Sequence, residues 1–102
     1  MKDTFTIEEI QELWLQASLL HAGQKYGGEF KDQQIEYINH IGSVVFEIIN
    51  AAFHAPQMDM GLAIRCALFH DALEDTGCSY HTLKVKIGER AALGVLAGYN
   101  IS

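Results

Sequence analysis

Apolar positions recur at helical spacing through most of this chain, and the interruptions fall at glycines, at one proline and at polar runs. Ile10, Leu13, Trp14, Ala17, Leu20 and His21 share one broad face, as in an amphipathic helix. Thr6 and Glu9 form a capping box ahead of it, so the helix is predicted to begin after Thr6. It is predicted to end near Tyr26, before Gly27 and Gly28. The polar stretch 27–37 (GGEFKDQQIEY) reads as a loop. A second helix is predicted over residues 39–53, where Ile41, Val44, Val45, Ile48, Ile49, Ala52 and Phe53 keep the helical period. Pro56 breaks it. A third helix is predicted over about 58–73, followed by a turn at DTGCS (75–79). A fourth, 80–87, should stop at Gly88, a residue suited to the position just past a helix end. A fifth begins at Glu89 and runs out in 98–102. The pattern predicts one all-α domain over residues 1–102, with at least five helices.

The third helix carries an anomaly. His70, Asp71, Glu74 and Asp75 sit together in AIRCALFHDALEDT (63–76), which otherwise reads as a buried helix. Glu74 lies one turn beyond His70, and Asp75 one turn beyond Asp71. Carboxylates at a helix C-terminus oppose the macrodipole, and buried charge is costly unless it is paired or bound to a cation. A divalent metal is the simplest compensation; a solvated helix end is the plainer alternative. His40 opens the second helix one turn before Val44, as a core histidine or a ligand. Together His40, His70 and Asp71 offer two nitrogens and one oxygen. That set suits Mn²⁺, Fe²⁺ or Zn²⁺ better than Ca²⁺. Glu74 and Asp75 would then orient or deprotonate a water.

The remaining candidates are weaker. His21 faces the core side of the first helix and reads as a packing residue. His54, His81 and Arg65 read as surface residues. Lys25 and Lys31 flank the glycine loop, either solvated or in reach of a phosphate. Net charge is −6, from seven lysines and arginines against thirteen aspartates and glutamates. With no basic stripe, long nucleic acid is excluded as a partner, while a small anionic ligand is not. Cys66 and Cys78 form no CxxC pair. Cys66 reads as a core residue. The apolar runs are too short to span a membrane, and with no secretory leader the expected home is a reducing cytoplasm.

Four segments in order, HAGQKYGG (21–28), EYINHIGSV (36–44), ALFHDALEDT (67–76) and KIGERAALGVLA (86–97), resemble HD-domain phosphohydrolases. The likeness is to the hydrolase domain of RelA/SpoT-type enzymes and their small stand-alone relatives. It implies an HD-type helical bundle and Mn²⁺-dependent removal of 3′ pyrophosphate from guanosine tetraphosphate and pentaphosphate. It implies His40, His70 and Asp71 as metal ligands, and Glu74 and Asp75 as the acidic pair acting on the attacking water. Lys25 falls in the basic loop that approaches the nucleotide. Glu36 and Ile41 stand where the family often has prolines, which implies a differently shaped loop. The family's fourth metal ligand, an aspartate on a later helix, falls beyond Ser102, as do later helices that wall the nucleotide pocket. The expectation is therefore the N-terminal portion of the family fold with three ligands.

Two functions stand at this point. One is a metal-dependent nucleotide phosphohydrolase. The other is a non-catalytic HD-type scaffold or binding module, whose uncovered apolar surface would favour a homo-oligomer.

Overall fold

The computed structural model describes residues 5–26 and 34–97, with the side chains of Glu74 and Asp75 excepted. Helix α1 spans Ile7–Leu20, and the Thr6 hydroxyl accepts from the Glu9 N–H at 3.1 Å, satisfying one of the amides left over at a helix start. The helix stops six residues before Tyr26. His21 caps it, and Gly23 takes a positive φ of 87° that lets the chain reverse. The next residues form a short hairpin that the sequence pattern did not predict. Strand β1 (Lys25–Tyr26) pairs antiparallel with β2 (Ile35–Glu36), in the register Lys25↔Glu36 and Tyr26↔Ile35. Two-residue strands are too short to show a period. Residues 27–33 of the expected loop, including Lys31, lie outside the described residues.

Helix α2 (Ile38–His54) buries Ile41, Gly42, Val44, Val45 and Ile48 on one face. Helix α3 (Met60–Phe69) starts at Asp59, whose carboxylate accepts from the Leu62 N–H at 3.1 Å. It packs against α1, α2 and α6, so nearly its whole surface is interior. Cys66 and Phe69 are fully buried there. Arg65, expected at the surface, is also largely enclosed. Only 11% of its side chain is exposed, and its guanidinium donates to Glu9 of α1 at 3.2 Å. The central position of α3 accounts for this enclosure, since even the polar edge of the helix meets a neighbour.

The third helix does not run through to residue 73. It breaks at His70 and Asp71 and resumes as a single turn, α4 (Ala72–Asp75). Helices α5 (Tyr80–Ile87) and α6 (Glu89–Leu96) follow and pack on each other. Gly88 joins them with φ 89°. The all-α expectation holds, with the two-stranded hairpin as the one addition among the described residues.

Where α1 crosses α2, the Trp14 indole lies on Gly42. A Cβ at Gly42 would sit 3.1 Å from the ring. Gly42→Val should therefore displace Trp14 and cost about 1–3 kcal/mol, the usual penalty for overpacking a filled contact. Urea unfolding followed by Trp14 fluorescence checks it; unchanged stability would mean that Trp14 yields to the added methyls without cost.

Candidate metal centre

The centre forms where the start of α2 meets the break between α3 and α4. His40 lies in the first turn of α2, and its backbone N–H donates to the Tyr37 carbonyl at 2.9 Å. His70 caps α3. Its Nδ1 lies 2.7 Å from the Ala67 carbonyl. A carbonyl only accepts, so Nδ1 carries the proton. This side-chain bond competes with the helix ladder. Asp71 leaves the helical region at φ −99° and ψ 0°, which explains why the helix breaks here.

That tautomer decides the electrostatics. With its proton on Nδ1, His70 turns Nε2 toward Asp71 Oδ2 at 3.0 Å. At that distance the two atoms can share a proton or a cation. His40 completes the group: one ligand atom from each of His40, His70 and Asp71 lies within 4.8 Å of the others, and all three residues are half-buried. Two imidazoles and a carboxylate held this closely could hold a metal ion. The sequence names these three, and the fold brings them together across thirty residues of chain.

Glu74 and Asp75 lie in α4 by backbone, and their side chains lie outside the described residues. Lys25 stands on the hairpin, half-exposed and ion-paired with Glu36. His54 and His81 are exposed. His21 is almost fully buried, at 1% exposure, in line with its packing role. Its Nδ1 lies 2.8 Å from Gln24 Oε1.

Two aromatic residues that the apolar pattern does not single out stand beside this trio. The Tyr37 hydroxyl donates to Asp71 Oδ2 at 2.5 Å, and its ring lies against both His21 and His40. The Tyr26 ring meets His40 edge-on at 5.7 Å. Tyr37 stands three residues before His40, and that spacing alone could have placed both on one side of the helix start. Tyr26 reaches the group through strand pairing and had no comparable signal.

The hydrogen bond from Lys25 holds the Glu36 carboxyl below its ordinary 4.5. Desolvation opposes this, while the Lys25 charge and a backbone bond from Gly23 add to it. A depressed carboxylate pKa contributes stability that is present above the unfolded value and lost as pH falls through the folded one. Hairpin closure should thus weaken in acid, below about 4.5. A ¹³C titration of Glu36 should give a midpoint under 4.5 that rises in Lys25→Met. An identical midpoint in the variant would dismiss the ion pair as the cause.

No protein-family model and no curated protein sequence matches this chain. No helix among the described residues is long and apolar enough to cross a membrane.

Proposed function

We propose that the protein is a cytoplasmic, metal-dependent phosphohydrolase of the HD type. Its substrate would be a small nucleotide with a pyrophosphate ester, such as guanosine tetraphosphate. The observation that carries the metal half of this reading is the convergence of His40, His70 and Asp71, with His70 Nε2 3.0 Å from Asp71 Oδ2. The nucleotide half rests on the resemblance of HAGQKYGG, EYINHIGSV and ALFHDALEDT to RelA/SpoT-type hydrolases.

His40 and His70 would hold a divalent ion, Mn²⁺ by that resemblance, through ring nitrogens, and Asp71 through a carboxylate oxygen. When bound, such an ion supplies Lewis acidity toward water and phosphoryl oxygens. The Ala67 carbonyl keeps His70 in the tautomer that leaves Nε2 for the metal. Glu74 and Asp75 follow Asp71 within one helical turn; Glu74 is assigned to take a proton from the attacking water, with Asp75 orienting it. Lys25 would exchange Glu36 for a substrate phosphate.

Calorimetric titration of the purified chain with Mn²⁺, paired with an assay for pyrophosphate release from guanosine tetraphosphate, tests both halves. One-to-one binding with release supports the whole reading. Binding without release retains the metal centre and removes the hydrolase. No binding removes both.

A second reading is a non-catalytic module that associates with itself or a partner. Phe46, Ile49 and Phe53 follow one another along α2 at helical spacing, with Phe46 and Phe53 at 70% and 80% exposure. An apolar depression of about 500 Å³ on α1, lined by Ile10, Gln11, Trp14 and Leu15, includes none of the metal residues. Sedimentation separates the readings: a concentration-dependent dimer dispersed by Phe46→Lys favours the module, and a monomer at all concentrations removes self-association.

A further inference from the structure

Asp71 Oδ2 is engaged twice, by the Tyr37 hydroxyl at 2.5 Å and by His70 Nε2 at 3.0 Å. The first contact comes from a residue held on several sides. The Tyr37 backbone N–H donates to the Gln24 carbonyl at 2.9 Å, where the hairpin gives way to α2. Its ring lies 4.9 Å from the buried His21 ring, tilted by 32°, and 5.2 Å from His40. His21 is itself fixed by Gln24 through the 2.8 Å contact at Nδ1. Gln24 therefore braces both the backbone of Tyr37 and the imidazole beneath its ring. A phenol mounted in this way has little freedom to turn, and its hydroxyl is committed to a carboxylate.

We propose that Tyr37 is the positioning residue of the metal centre. Its phenol clamps Asp71 Oδ2 and so sets the rotation at which the carboxylate faces His70 and His40. The proposal rests on the metal-binding reading above. Asp71 sits between two helices, and its carboxylate could otherwise swing between rotamers. Carboxylates that ligate metals are commonly oriented by a hydrogen-bond donor behind them, and losing that donor typically costs about 10–100-fold in metal affinity. A tyrosine suits the task because its ring can be gripped from the sides while the hydroxyl reaches forward. The grip links the buried His21, one residue past the end of α1, to the group through the Tyr37 ring.

The experiment is Tyr37→Phe, which keeps the ring and removes the donor. Two quantities are measured beside the wild type and His70→Ala: Mn²⁺ affinity by calorimetry, and the metal-free orientation of Asp71 from its ¹³Cγ shift and side-chain couplings. The expected result is a folded variant whose Asp71 signals move and whose Mn²⁺ Kd rises about 10–100-fold. Wild-type affinity with unmoved Asp71 signals overturns the clamp and leaves the metal centre standing. A wild type that binds no Mn²⁺ overturns the metal centre, and the clamp is then judged on the metal-free signals alone. Should Tyr37→Phe not fold, the wild type decides. A Tyr37 hydroxyl proton in contact with the Asp71 methylene upholds the clamp, and a hydroxyl turned away overturns it.

Discussion

His70→Ala should lower Mn²⁺ affinity by more than about 100-fold, beyond what the loss of an outer hydrogen bond costs. Three candidate ligands converge at this site, and the substitution removes the one whose Nδ1 lies against the Ala67 carbonyl. It also removes the ring that faces Asp71 Oδ2 at 3.0 Å. The fold should survive, because His70 sits at the half-buried end of α3 and leaves Phe69 and Leu68 to fill the core. His54→Ala is the control: that histidine is exposed at the last turn of α2, and its loss should leave affinity unchanged. Calorimetry on the two variants settles the matter. Equal affinity in wild type and His70→Ala would remove His70 from the metal set, and with it the best-positioned nitrogen of the proposal.

Glu74→Gln should separate binding from chemistry. The amide has nearly the shape of the carboxylate but cannot take up a proton. If Glu74 accepts the proton of the attacking water, turnover of guanosine tetraphosphate should fall by about 10²–10⁴-fold, the range for a lost general base. Mn²⁺ affinity should stay within a few-fold of wild type. Both are read on the same preparation, by pyrophosphate release and by titration. A full rate in the variant would exclude Glu74 as the base and pass the assignment to Asp75. A collapse of metal affinity would instead make Glu74 part of the metal set. Together with His70→Ala, the pair distinguishes a centre that binds and reacts from one that only binds.

The helices were largely legible because their signals are local. The Thr6 cap, the apolar face of residues 10–21 and the stop at Gly88 each depend on neighbours within a few positions. For that reason the starts of α1 and α6 and both ends of α5 agree with the pattern. The structure departs from the local pattern where a side chain or a distant strand overrides it. Helix α1 ends at Leu20 because Gly23 turns the chain toward a pairing with residues 35–36. The third helix breaks at His70 because that ring takes the carbonyl of Ala67. Arg65 is enclosed because α3 has neighbours on several sides. None of these has a signature in the spacing of apolar residues.

By itself, the sequence determined the all-α class, most helix starts and the residue types able to hold a metal. These follow from periodicity, caps and the cost of placing carboxylates at a helix end. The tertiary structure alone decided that His40 comes within ligand distance of His70 and Asp71. It also decided that a hairpin carries Tyr26 to His40, and that Tyr37 reaches Asp71 while resting on a buried His21. Helical spacing fixes which residues share a face within a few turns. The meeting of two faces thirty residues apart is set by how α2 and α3 pack, and that packing depends on the whole core.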